Sequence, residues 1–253
     1  MCIMTAEPME QTHQEKSVPV WDASVCARAR SAEDFLGAAL LVDKPGGWTS
    51  YDVIRRLKRY FPRATKIGHT GTLDPLATGL LILLFGRATK SQGRFLRLPK
   101  VYDGTMRLGE VTPSMDSATE VTLRKPIGSL TFAQIESACS VHTGGIQQIP
   151  PMYSAVKVGG ERLYKKARRG ESVERSPNEV TIHSFKVLRV EGAEVHFRVR
   201  CSKGTYIRVL AHDVGQHLHV GAHLTQLRRT AIGSYQVERA CSVEQLVAVL
   251  ENI

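Results

Sequence analysis

One carboxylate stands in an unusual setting: Asp74, inside Gly68-His69-Thr70-Gly71-Thr72-Leu73-Asp74-Pro75-Leu76-Ala77-Thr78-Gly79, just before the apolar run Leu80 to Phe85. Glycines at 68, 71 and 79 favour a tight irregular loop and let backbone and ligand approach closely. Pro75 disfavours the α conformation at Asp74 and can itself open a helix or turn. Two roles are open to the carboxylate: capping Pro75-Leu76-Ala77, or acting as nucleophile or general base. The second needs a cation to hold it ionised and aimed. Arg208, in Tyr206-Ile207-Arg208 after a strand-like segment, is the candidate, because guanidinium pairs with carboxylate in a directional, bidentate way. Histidines 212, 217, 219 and 223 match no H-E-x-x-H pattern, and the five cysteines contain no C-x-x-C, so a metal site is not expected. No P-loop and no G-x-G-x-x-G after a strand is present.

The elements that must position these groups follow from periodicity. Ala39 to Val42 reads as a strand, Lys44-Pro45-Gly46-Gly47 as a turn, and Thr49 or Ser50 as the cap of a helix with Val53, Ile54, Leu57 and Phe61 on its apolar face, ended by Pro62. Leu80 to Phe85 is a buried strand; Lys100 to Leu108 is another, with Tyr102, Met106 and Leu108 on one face. Thr112 to Glu120 reads as a loop. Thr131 caps a helix with Phe132, Ile135 and Cys139 on one side, stopped by Gly144-Gly145. Val180 to Val190 and Glu194 to Cys201 form an antiparallel hairpin, a helix runs from about Thr205 to Leu218, His223 to Thr230 is a strand, and Ser242 with Gln245 opens a last helix to Leu250. The sum predicts an α+β fold with a mixed, largely antiparallel sheet and flanking helices.

Charge is distributed unevenly. The chain has 34 Lys and Arg against 24 Asp and Glu, but the first 40 residues hold 3 basic and 6 acidic groups, leaving +13 on the rest. A basic body favours a polyanionic partner through counterion release, although charge alone fits a basic protein without one. Lys157 to Arg175 holds 7 basic and 3 acidic residues and reads either as a basic excursion from the core or as an ordinary surface helix, Glu161 to Arg169. Residues 1–38 are polar and aperiodic and are expected to be a flexible tail. The odd cysteine number implies a reducing compartment, and no apolar run approaches the roughly 20 residues of a membrane span. A cytoplasmic monomer is expected.

The stretch around Asp74 closely resembles the catalytic motif of the bacterial TruB-type tRNA pseudouridine synthases. Val42-Asp43-Lys44-Pro45 with Thr49-Ser50, Pro151-Met152-Tyr153-Ser154-Ala155 with Lys157, and Cys201 to Arg208 resemble further motifs of that family in the same order. The resemblance covers about residues 39 to 240. It implies the pseudouridine synthase fold, with a catalytic domain over 39–240, a thumb-like basic segment at 147–175 and a short C-terminal helix at 241–253. It also implies isomerisation of uridine 55 in the T loop of tRNA to pseudouridine, through base flipping and without cofactor or metal. Asp74 takes the place of the catalytic aspartate, Arg208 of its ion-pair partner, and Tyr102 of the active-site tyrosine. Tyr206 and Leu227 line the uracil pocket, His69 fills the space vacated in the T loop, and Lys44 joins the substrate-binding set. Lys157, Arg162, Lys165, Lys166, Arg168 and Arg169 form the thumb's RNA-binding face. Two departures stand out: Thr112-Pro113-Ser114-Met115-Asp116 keeps only the second aspartate of the family's Thr-Asp-Thr-x-Asp, and a full C-terminal PUA domain is not expected. The alternative functions are a tRNA-binding folding chaperone with secondary or absent catalysis and, more remotely, a guide-RNA-dependent relative.

Overall fold

A computed structural model describes residues 18–253. Eight strands form the spine of the main sheet: β1 (Val20–Trp21), β2 (Ala39–Lys44), β3 (Thr78–Phe85), β4 (Lys100–Leu108), β5 (Gly144–Gln148), β6 (Asn178–Glu191), β7 (Glu194–Cys201) and β8 (Ala222–Ile232). Their spatial order is β1-β2-β3-β8-β4-β7-β6-β5, with three short strands attached at its margins. Most neighbours are antiparallel, as the hairpin-rich sequence predicts. The junction between β3 and β8 is parallel, and it pairs Thr78 with Arg228 and Gly79 with Arg229. The end of the catalytic-type motif is thereby stitched to the middle of the sheet.

Five helices cover the sheet or carry groups that reach the site: α1 (Ser50–Lys58), α2 (Phe132–Ser140), α3 (Leu163–Arg168), α4 (Ile207–His217) and α5 (Val243–Glu251). Thr49 caps α1 and Ser242 caps α5, each closing a capping box with the residue three positions on, Asp52 and Gln245. α1 and α5 cover one side of β2 and β3 through Val53, Leu57, Leu246 and Leu250, whereas α2 and α4 pack with β4, β6, β7 and β8 through Ile135, Cys139, Leu210 and Val214. The alternate residues of β2 and β3 join a third cluster with Phe95 and Ile232. Burial on both faces is why Leu80 to Phe85 is a continuous apolar run rather than an alternating one.

The structure departs from the expected elements in four places. Residues 1–17 of the expected tail lie outside the described residues, but 18–38 is built into the fold. β1 extends the sheet beside Ala39 and Leu40, Asp22 caps a short helix at Ala23–Cys26, and Phe35 is fully buried against Trp21, Phe61 and Phe85 at centroid distances of 5.1, 5.9 and 6.1 Å. A segment poor in apolar residues becomes ordered here because a preformed sheet edge pairs its backbone and a cavity receives its few aromatic groups. α1 ends at Lys58, four residues before Pro62. Phe132, expected on the inner face of α2, is 44% exposed, and Ala138 takes the inward position. Gly144 and Gly145 begin the edge strand β5 rather than merely stopping a helix.

Candidate active site

Local constraints hold the loop that carries Asp74 from both sides. Leu73 and Ala77 are buried in the larger core, and the Leu73 N–H donates to the Ser50 hydroxyl at 2.8 Å, while Gly47 N–H donates to the Pro75 carbonyl at 2.8 Å. Lys44, placed in the substrate-binding set by the sequence, is fully buried. Its ammonium donates to the carbonyls of Pro45 at 2.8 Å and Trp48 at 2.6 Å, and burial brings its pKa down to about 8. It therefore braces the turn that braces the loop, and does not line the pocket. Asp74 does not cap the turn with its side chain. The backbone carbonyl of Asp74 accepts from Ala77 N–H at 3.0 Å, which leaves the carboxylate directed elsewhere.

That direction is towards Arg208. Its guanidinium lies 3.3 Å from an Asp74 carboxylate oxygen and 3.1 Å from Asp116, and donates to the Tyr153 carbonyl at 2.8 Å. Arg208 sits in the first turn of α4, whose N-cap, Tyr206, is clamped by the buried Gln148 amide: Gln148 accepts from the Tyr206 N–H at 2.9 Å and donates to its carbonyl at 3.2 Å. Asp116 is 3% exposed and accepts from Ala118 N–H at 3.0 Å. Its carbonyl accepts from the Thr112 and Ser114 hydroxyls at 2.7 and 3.0 Å, so the turn persists with Pro113 in the family's first aspartate position.

The side chain of Asp74 is 43% exposed, open to the pocket while protein closes it on the other sides. Burial raises its pKa above the ordinary aspartate range; Arg208 and Lys44 pull it back, and Asp116 pushes it further up. A carboxylate so placed is a usable nucleophile or base, held by one arginine that a second, buried carboxylate keeps in line.

The cavity above it measures about 430 Å³ and is lined by Tyr102, Tyr206, Leu227, Lys203 and Arg229 among others, which brings together five groups singled out in the sequence: Asp74, Tyr102, Tyr206, Arg208 and Leu227. Burial raises the pKa of both tyrosines, and the nearby arginines, Arg229 for Tyr102 and Arg208 for Tyr206, oppose it. His69 stands outside this lining. It is half-buried one residue before Thr70, with Nδ1 accepting from Gly71 N–H at 3.4 Å, and burial lowers its pKa.

The basic segment is rooted in the pocket wall, since Ser154 and Val156 line the cavity and accept from the Tyr164 and Leu163 N–H groups at 3.0 and 2.8 Å. Leu163 is fully buried, and from this root a two-stranded hairpin, Lys157–Val158 with Glu161–Arg162, and α3 project. Lys157, Arg162, Lys165 and Arg168 are exposed and Lys166 half-buried. Arg169 differs: Glu161 holds it in a two-point contact at 2.9 and 2.7 Å and Glu171 adds another at 2.7 Å. Its charge is neutralised within the segment.

Two groups escape the sequence reading. Asp116 stands there as a surviving motif residue but not as the partner of Arg208, and Arg229 is not singled out. The available signal for the latter is an Arg-Arg pair, Arg228-Arg229, inside a segment that reads as a strand. Among the described residues no cluster of three or more metal-ligating side chains occurs, and no helix is long and apolar enough to cross a membrane.

The fold recurs in proteins of known structure. Over 81% of this chain and 52% of the other, with a TM-score of 0.63 and 31% identity, the fold matches the crystal structure of a Cbf5-Nop10-Gar1 complex. The chain thus spans about half of that solved chain. It also matches a structure of an H/ACA RNP bound to a substrate RNA containing 2′-deoxyuridine, at a TM-score of 0.60 and 27% identity over 81% of this chain and 51% of the other. The fold is that of the pseudouridine synthases, enzymes that isomerise uridine within RNA. Residues 58–207 match the model of the TruB family pseudouridylate synthase N-terminal domain, and residues 208–252 that of the tRNA pseudouridylate synthase B C-terminal domain. The protein named tRNA pseudouridine synthase B from Opitutus terrae is 47% identical over 85% of this chain and 88% of its own length, and the one from Thermobifida fusca is 46% identical over 83% and 74%. The chain belongs to the TruB family and is an RNA-modifying isomerase.

Proposed function

We propose that this enzyme converts uridine 55 in the T loop of tRNA to pseudouridine, with Asp74 as the catalytic carboxylate. The observation that carries the reading is the Asp116–Arg208–Asp74 chain, which keeps one carboxylate aimed into a nucleotide-sized pocket while its partner stays buried. The reaction breaks the bond between ribose C1′ and uracil N1, joins C1′ to C5, moves the C5 proton to solvent through a base in the pocket, and leaves N1 to take up a proton from solvent. No atom is gained, so no co-reactant is required. Such chemistry cannot reach a stacked base, and extruding it costs a few kcal/mol. Tyr102 and Tyr206 supply aromatic surface for the extruded uracil, with Leu227 as an apolar wall, and stacking returns about 1–3 kcal/mol per base. Exposed Lys157, Arg162, Lys165 and Arg168 on the thumb hold the tRNA backbone through phosphate contacts. His69, beside the pocket, is assigned to the vacated space in the T loop. A pure tRNA-folding role gains nothing from a carboxylate held this way, which favours the enzyme.

The test is incubation with an unmodified tRNA transcript and mapping of pseudouridine by carbodiimide-induced reverse-transcription stops. Wild type is expected to give a stop at position 55 and Asp74→Asn none, with tRNA binding retained. A stop that persists in Asp74→Asn would falsify the catalytic assignment, and tight binding without any stop in the wild type would favour the chaperone.

A further inference from the structure

Arg229 is a charge whose cost the fold accepts without an evident structural return. It is 1% exposed, and no carboxylate pairs with it among the described residues. Its neighbour Arg228 follows the ordinary pattern, with a two-point contact to Asp43 at 2.6 and 3.0 Å. Burying a guanidinium without a counter-charge costs several kcal/mol, and backbone carbonyls offset only part of it. Arg229 Nε donates to the Leu80 carbonyl at 2.7 Å and one terminal nitrogen to the Gly71 carbonyl at 3.1 Å. The other terminal nitrogen lies 3.5 Å from the Tyr102 hydroxyl and borders the pocket.

The glycines of the Asp74 loop fit this group. Gly79, at φ +100°, lies so close to β8 that an added Cβ would be 2.3 Å from the Arg229 carbonyl oxygen and 2.8 Å from its nitrogen. Gly71, at φ +136°, turns its carbonyl onto the guanidinium. From the sequence these glycines are expected to let backbone and ligand approach closely; in the structure Gly79 admits the Arg229 backbone, and Gly71, which also lines the cavity, aims its carbonyl at the guanidinium.

We infer that Arg229 is a positioning residue for Tyr102: it joins the Asp74 loop, β3 and the phenol into one unit and sets a positive charge against the phenol oxygen. This rests on the isomerase reading above, and it gives Tyr102 a second task beside stacking. A phenol on the pocket wall takes the C5 proton only as a phenolate: the C5–H electron pair stays with the ring, and the phenolate becomes a neutral phenol. Burial opposes the phenolate, as do the neighbouring Asp74 and Cys201, and Arg229 favours it. Arg208, Lys100 and Lys203 are the other charged groups around the same cavity; the Lys100 ammonium is already engaged by the Leu96 and Leu98 carbonyls at 2.6 and 2.7 Å.

The experiment is a double-mutant cycle on the single-turnover rate, Arg229→Gln with and without Tyr102→Phe, together with ¹³Cζ-tyrosine NMR titration of the same proteins. Arg229→Gln is expected to lower the rate about 10-fold or more in the wild-type background and by a clearly smaller factor in Tyr102→Phe, where the phenol is gone and only its hold on the Asp74 loop remains. The Tyr102 resonance, assigned by its loss in Tyr102→Phe, is expected to titrate about one unit higher in Arg229→Gln. Equal losses in both backgrounds, or titrations that coincide, overturn the proposal. If Arg229→Gln does not fold, the cycle is run with Arg229→Lys, whose loss must likewise shrink in Tyr102→Phe. A wild type that makes no pseudouridine removes the isomerase reading and leaves the titration to decide the role of Arg229.

Discussion

Replacing Asp116 by asparagine tests the electrostatic core of the site, because the same substitution predicts a loss of stability, a loss of rate and a shift in pH dependence of known sign. Arg208 and Asp116 have side chains 6% and 4% exposed, at 3.1 Å. Stranding one member of a buried pair costs about 3–5 kcal/mol. Arg208 is not stranded by Asp116→Asn, since Asp74 and the Tyr153 carbonyl remain and the amide oxygen introduced at the position can still accept. The expected loss is that of a charge-assisted hydrogen bond, about 1.5–3 kcal/mol, read as a fall in the urea midpoint at unchanged slope. With one of its two anchors weakened, the guanidinium no longer holds Asp74 in line, and single-turnover rates are expected to fall by up to about 10²-fold. The pH effect runs in the opposite sense. Asp74 is proposed to act ionised, and its pKa is raised, by burial first and by the Asp116 charge in addition, so activity is expected to be lost on acidification at a pH above the ordinary aspartate range. Removing that like charge lowers the pKa, and the acid limb of the rate profile moves to lower pH. A limb that stays in place or moves to higher pH, in a variant shown to be folded, refutes the reasoning.

Other outcomes are expected. Gly79→Ala places a Cβ 2.3 Å from the Arg229 carbonyl oxygen at φ +100°, so it is expected to cost about 3 kcal/mol or more in urea unfolding, whereas Gly47→Ala, at φ +77° with nothing within 4 Å, costs only the backbone term of about 1–2 kcal/mol. On the thumb, Arg162→Ala and Lys165→Ala are each expected to weaken tRNA binding and to reduce the slope of log K against log salt by about 0.7–0.9. Arg169→Ala, whose charge is already paired with Glu161 and Glu171, is expected to leave the slope unchanged in filter-binding titrations.

What the sequence determined by itself is whatever is carried by local pattern. Strand β4 was legible residue for residue from its alternation, and α5 from its Ser242–Gln245 capping box, because both are set by neighbours within a few positions. Asp74, Tyr206 and Arg208 were legible because they lie within distinctive ordered motifs, Tyr102 and Leu227 through the family resemblance those motifs carry, and the structure brings all five around one cavity. What only the tertiary structure decided depends on partners distant in the chain. Residues 18–38 are ordered by a sheet edge and an aromatic cluster that no local pattern announces. That Lys44 is a buried brace and Arg169 an internally paired charge depends on carbonyls and carboxylates set in place by turns and hairpins. Arg229 entered the site through a parallel pairing across 150 residues of sequence. The choice between cap and ion pair for Asp74 belongs to the same class. A cap is a local hydrogen bond and an ion pair is a long-range one, and which of them a carboxylate makes is settled only when the fold delivers Arg208 and, behind it, Asp116.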